Sequence, residues 1–216
     1  MQAIHMVSAW ASENRIVLGQ LKTHDKSNEI TAIPLLLKML DVAGCIVTID
    51  AMGCQKKIAD TILQAKADYI LSLKGNQTNL HSDVELFFED CIDCDFKGIT
   101  YDFHENIDAG HGRIETRKTW ITSEIEWLHD REKWPGLRTI GMVESERQIG
   151  DESSKERRFF ISSSTCNAKE FGAAVSSHWR IENSVQWTFD IAFREDESRI
   201  RKNHVPKIWR HFVILH

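Results

Sequence analysis

Residues 45–53, Cys-Ile-Val-Thr-Ile-Asp-Ala-Met-Gly, run a β-branched stretch straight into a carboxylate, with a glycine three positions later. Ile46, Val47 and Ile49 show no polar alternation beyond Thr48, which suits a strand buried on both faces of a mostly parallel sheet. Gln55 to Ala67 then carries helical spacing, with Ile58, Ile62 and Leu63 apolar and Lys56, Lys57, Asp60 and Lys66 outside. Strand, acid, small-residue turn and helix make one α/β unit. Ligands of such sheets bind beyond the carboxyl ends of the strands, which is where Asp50 falls. An acid at a strand end serves equally well as a helix cap or turn former, so both readings stand at this point.

The rest of the chain extends that unit. Ile4 to Trp10 and Arg15 to Leu21, separated by Ser12-Glu13-Asn14, read as an antiparallel hairpin. Ile33 to Val42 is expected to be helical, with Pro34 in its first turn. Asp68 to Leu73 reads as a second buried parallel strand ending in Lys74-Gly75-Asn76-Gln77. Leu80 to Cys91 reads as an amphipathic helix with Val84, Leu86, Phe87 and Phe88 inward. Beyond Ile99 the helical period fades. Strand-like runs at Glu115–Ile121, Leu137–Val143 and Arg157–Ser162 are divided by turns such as Asp108-Ala109-Gly110-His111-Gly112, which predicts a β-rich insertion or a second, antiparallel sheet. From Ala168 a helical pattern returns and runs to about Ala192. The expected organisation is a first part of an α/β core over 1–98, a β-rich insertion over 99–165, and a final helix with a basic segment over 166–216.

The second informative stretch is His178 to Trp187. On a helix, Trp179, Glu182, Gln186 and Phe189 share one stripe. A carboxylate among aromatics needs a partner, either an arginine or a metal ion, because burying it unpaired is costly. Asp50 on a strand end and Glu182 on a distant helix suit a hard, oxygen-ligated ion such as Mg2+. Two such ions can activate a nucleophile and stabilise the leaving oxygen of a phosphodiester.

Several blocks together resemble one family, the DDE transposases of bacterial insertion sequences, of the H-repeat-associated type. They are AIHMVSAWASENRIVLGQ at 3–20, TIDAMGCQKKIA at 48–59, YILSLKGNQ at 69–77, HGRIETR at 111–117, HWRIEN at 178–183 and FREDESRIRK at 193–202. The resemblance covers nearly the whole chain. It implies a ribonuclease-H-like core in which two Asp and one Glu hold Mg2+ or Mn2+ for cutting and rejoining DNA, with Asp50 as the second Asp and Glu182 as the Glu. The family's first Asp lies in an Ile-Asp-Gly-Lys segment before the hairpin, on a strand between the hairpin and the strand ending at Asp50. The chain begins after that segment. The resemblance therefore implies a core lacking its first strand, with the β-rich insertion before the last catalytic helix, and an inactive or partial copy of the enzyme. VPKIWRHFVILH at the other end resembles the opening of the family's last helix. Ser176 replaces a usual arginine, and Gln186-Trp187 replaces a usual His-Trp.

The same resemblance implies DNA contacts by Lys74, Asn76, Gln77, Arg113, Arg117, Lys118, His178, Trp179, Arg180, Asn183, Arg194, Arg199, Arg201 and Lys202. The implied partners are double-stranded DNA (transposon ends and target) and a further copy of the chain, in a bacterial cytoplasm beside the nucleoid. From the residues alone, Arg113, Arg117 and Lys118 also fit a solvated face, and Glu195, Asp196 and Glu197 offer the last basic segment internal ion pairs. Asn76 also fits a helix cap. Cys91-x-x-Cys94 is half of a zinc pattern, without a second half. Five cysteines without regular spacing fit reduced thiols, and a net charge of -5 confines any nucleic-acid contact to a local patch. The longest apolar runs are too short to span a bilayer, and no signal segment opens the chain. A non-catalytic DNA-binding remnant, which inhibits or complements a full-length transposase, is the alternative. A cysteine-based metal module is the third.

Overall fold

The computed structural model describes residues 4–23, 29–110, 113–150, 152–179 and 208–216. Asp50 is therefore within the described residues, whereas Arg180, Glu182, Asn183, Arg194, Arg199, Arg201 and Lys202 lie outside them, as does most of the stripe beyond Trp179.

The hairpin forms as expected, from β1 (Ile4–Ala11) and β2 (Ile16–Thr23), with a register shift at Ala9/Trp10. Helix α1 (Glu29–Lys38) starts a turn earlier than its apolar spacing indicated, so Pro34 falls inside it rather than in its first turn. The α/β unit follows: β3 (Ile46–Ile49), α2 (Lys56–Gln64) and β4 (Asp68–Leu73), with β3 and β4 parallel in the register Ile46 opposite Asp68. Helix α3 (Thr78–Asp93) turns Val84 and Phe88 inward, but Leu86 is 58% exposed, a correction to its expected place. Leu80 and Cys91, at helical spacing from Val84 and Phe88, complete that buried stripe instead.

Four long antiparallel strands come next: β5 (Asp102–Gly110), β6 (Arg113–Thr122), β7 (Thr139–Ile149) and β8 (Glu152–Ser162). β5 takes in Asp108, Ala109 and Gly110, which the sequence assigned to a turn. The four strands do not make a second sheet. β8 pairs with β4, Leu73 opposite Phe159, and all described strands join in one nine-stranded sheet of order β2-β1-β9-β3-β4-β8-β7-β6-β5. The physical reason is β4: a strand buried on both faces leaves donors and acceptors on its second edge, and β8 satisfies them.

Strand β9 (Ile208–Leu215) is the largest departure from expectation, since this stretch resembled the start of a helix. It lies parallel to β1 over eight residue pairs and antiparallel to β3 over three, from Val47 opposite Leu215 to Ile49 opposite Val213. The backbone of His216 exchanges two hydrogen bonds with Ile46, 2.9 Å each. Val213, Ile214 and Leu215 are buried, each contributing about 1.5–3 kcal/mol by burial. The middle of a sheet, covered on both faces, accommodates such an apolar run.

The sheet is covered on both sides. α1, α2 and α3 pack on one face over a core that includes Leu36, Ile58, Ile62, Val84 and Phe88. A helix over 168–179, α4, crosses the other face, where Phe171, Ala174 and Val175 meet Ile70, Val143 and Phe160. Gly141 admits this crossing, because a Cβ there would stand 2.7 Å from the Phe171 ring.

Candidate active site

Asp50 follows β3 directly and starts a single turn of 3-10 helix, Ala51–Gly53. Its carboxylate Oδ1 accepts the Gly53 N–H at 3.2 Å, so the capping role open to it in the sequence is real. Gly53 is required by close approach: a Cβ there would lie 2.2 Å from Cγ2 of Ile49. The turn thus folds back on its own strand and holds the acid at the strand end.

The segment after β4 braces this turn from the side. Asn76 donates its side-chain N–H to the Ala51 carbonyl at 2.6 Å, and Gln77 donates to the Cys54 carbonyl at 2.8 Å. Both amides expected on DNA therefore spend donors on the backbone of the Asp50 turn. Cys54 beneath is buried, and burial with the Asp50 charge pushes its thiol up to about 12, which keeps it protonated and inert.

Asp50 lines a cavity of about 320 Å³ together with Thr48, Ser72, Lys74, Arg158, His178 and Trp179. Of the expected contacts, Lys74, His178 and Trp179 are brought to it. His178, on α4, is buried and stands 3.1 Å from the Thr48 hydroxyl through Nδ1. Burial pushes its pKa down to about 4 against the opposing pull of Asp50, so the ring is neutral. His216, beyond β9, reaches the same hydroxyl at 3.3 Å through Nε2, and burial lowers it to about 4 as well.

Arg158 was not singled out in the sequence. Its guanidinium stands 4.1 Å from the centroid of the Trp179 ring, a cation–π distance, and bonds Glu156 through Nε at 2.8 Å and Nη2 at 2.9 Å. The signal was present in the period-2 alternation of β8, which puts Arg158 on the face of Phe160. The pairing of Phe160 with Ser72, which carries it to Asp50, was not legible.

Arg113 and Arg117 also point to the α4 side, both bonded to Glu115, at 3.0 and 2.5 Å. They line a separate, larger cavity. Lys118 is not brought to this cavity: alternation along β6 turns it to the opposite face, 3.6 Å from Glu105. Cys91 is buried and Cys94 exposed, both free thiols, and no three His, Cys, Asp or Glu among the described residues converge as a metal-holding group. No helix among them is long and apolar enough to cross a membrane.

The family described as Transposase DDE domain matches residues 2–215. The chain is 45% identical over 210 residues to "Putative transposase YncI" of Escherichia coli O157:H7, covering 95% of this chain and 53% of that protein. It is 46% identical over 166 residues to "Uncharacterized protein in dhlA 3'region" of Xanthobacter autotrophicus, 77% of this chain and 55% of the relative. It is 37% identical over 223 residues to "H repeat-associated putative transposase YhhI" of Escherichia coli K12, 98% and 57% respectively. The chain spans about half the length of the curated relatives it matches.

Proposed function

This chain belongs to the DDE transposase family, and from that premise we propose that it is part of the catalytic core of a DNA transposase, built for metal-dependent cleavage and transfer of DNA strands. The observation that carries this reading is the pocket beyond β3, where Asp50 shares one cavity with Lys74 and Arg158. A carboxylate sharing a cavity with two cationic side chains suits a phosphodiester: the cations orient the phosphate and the acid holds what balances its charge. Glu182, on the continuation of the α4 sequence, is the second acid of this reading.

The described residues fit the implied metal in part. One carboxylate beside space for water and phosphate oxygens is within what Mg2+ or Mn2+ accepts, whereas holding two ions needs more acids than Asp50 alone. A divalent cation held there would neutralise phosphate charge and lower the pKa of the attacking hydroxyl. His178 takes no proton in this scheme. It is buried, neutral and committed to Thr48, so it positions α4 against β3.

In the ribonuclease-H-like reading, β9 takes the place between β1 and β3 that the family's first, Asp-bearing strand occupies. The chain by itself then cuts no DNA. A non-catalytic role, inhibiting or complementing a longer transposase, is the second reading, favoured by β9 lying between β1 and β3. The partners are transposon ends, target DNA and a second copy of the chain, met beside the nucleoid.

The test is a supercoiled plasmid carrying the element's ends, with Mg2+ or Mn2+, and the chain with and without an added upstream Ile-Asp-Gly-Lys segment. The expected result is salt-sensitive DNA binding by both forms, and nicking by the extended form alone, lost in Asp50→Ala and Glu182→Ala. Robust nicking by the unextended chain, abolished by Asp50→Ala, would overturn the inactive reading. Absence of DNA binding even at low salt would overturn the transposase reading as a whole.

A further inference from the structure

A second cavity, of about 1010 Å³, opens between α4 and the ribbon β5–β7, on the same face of the sheet as Asp50. Alternation along the strands turns Arg113 and Arg117 of β6 and Arg147 of β7 into it, with Glu115 opposite Arg147 in register. Lys169, in the first turn of α4, faces them from the helix side. The wall of α4 is low here, formed by Gly172, Ala173 and Ser176. Gly172 keeps it close to the sheet, since a Cβ there would stand 2.6 Å from Oγ1 of Thr119. Four permanent cations meet two acids, Asp108 and Glu115, in a chain whose net charge is -5.

The cations are unevenly committed. Arg113 and Arg117 share Glu115, and the Nε of Arg117 is buried without a hydrogen-bond partner. Arg147 and Lys169 enter no ion pair among the described residues. Bringing four cations together costs self-repulsion, which a polyanion relieves. Trp179 lines both this cavity and the Asp50 pocket, so the two adjoin along α4. From Lys169 to His178 the helix rises about 13 Å, the length of about four base pairs.

The geometry points to a DNA-backbone site in this cavity: Arg113, Arg117, Arg147 and Lys169 hold phosphates of the duplex that flanks the strand entering the Asp50 pocket. The site rests on the transposase reading and adds to it the path of the DNA, along α4 toward the ribbon. Arg147 and Lys169 carry that path beyond the residues the sequence resemblance marked.

The experiment measures binding of a fluorescent 30-base-pair duplex to the whole chain across a salt series, for wild type, Arg147→Ala/Lys169→Ala, and Lys118→Ala/Lys155→Ala. The last pair removes the same charge from β6 and β8, on the opposite face of the sheet. Melting temperatures of all three establish that each is folded. Each phosphate contact contributes about 0.9 to the slope of log K against log salt, so the Arg147→Ala/Lys169→Ala slope is expected to be shallower by about 1.8. The opposite-face pair is expected to keep the wild-type slope. A change below about 0.9 in the first variant, or an equal change in the second, would overturn the site. A wild-type chain that binds no duplex at low salt would instead remove the transposase reading itself.

Discussion

The Thr48 hydroxyl on β3 lies 3.1 Å from Nδ1 of His178 on α4, across 130 positions of chain. His216 approaches the same oxygen at 3.3 Å, so one hydroxyl joins a central strand, the crossing helix and the last residue. A hydroxyl donates one bond and accepts others, which suits two neutral imidazoles, one accepting and one donating. Protonating the accepting ring removes its lone pair and breaks that arrangement.

Stability is therefore expected to fall with acid in a defined window. Both rings fold neutral with pKa values lowered to about 4, against the usual 6.5. The unfolded chain binds the protons first, so this contribution is complete above about pH 6.5 and is lost as pH falls toward 4. Urea unfolding near pH 5 is expected to take up close to two protons more than at pH 7.5. His178→Gln is expected to halve that uptake. A pH-independent midpoint between 7 and 4.5 would contradict the arrangement.

Asp50 has two tasks that substitution separates. Asparagine caps a turn about as well as aspartate, so Asp50→Asn is expected to leave the melting temperature nearly unchanged. Asp50→Ala loses the bond to Gly53 and is expected to cost about 1 kcal/mol. Both are expected to lose Mn2+ binding, read by calorimetry or by paramagnetic broadening of resonances at the site.

Gly53→Ala is expected to destabilise by about 1–3 kcal/mol, the usual cost of forcing an extra methyl into a packed site. The new Cβ would meet Ile49 at 2.2 Å, on the strand that carries the acid. Urea denaturation measures it, and Gly75→Ala, where a Cβ meets nothing within 4 Å, is the matched control.

Trp179→Ala is expected to cost about 2 kcal/mol, roughly half the loss for a fully buried aromatic. The ring packs only partly against the Phe160 and Phe171 cluster and carries Arg158 over its face. Equal melting points for the variant and wild type would show that the ring contributes no packing.

Much of the fold was legible because it is local. The hairpin β1–β2, the unit β3–α2–β4 and the inward face of α2 each follow from periodicity along one local stretch of chain, and Asp50 could be placed at a strand end on that basis alone. Leu86 was assigned inward by its type, although Leu80 and Cys91 share the stripe of Val84 and Phe88. Lys118 adjoins Arg117 in sequence, and odd spacing along a strand turns it to the other face. Glu182, with the basic stretch after it, lies outside the described residues, so its meeting with Asp50 stands as a proposal.

By itself the sequence determined the family, the elements around Asp50 and the presence of a β-rich stretch after Ile99, because these depend on neighbours along the chain. Only the tertiary structure decided that the β-rich strands extend the first sheet, that β9 enters between β1 and β3, that Arg158 arrives beside Asp50, and that His216 reaches Thr48. Those outcomes depend on edge pairing between strands far apart in sequence. A run such as Phe212 to Leu215 is equally apolar as strand or helix, and what selects the strand is the unpaired backbone of β1 and β3 that it satisfies.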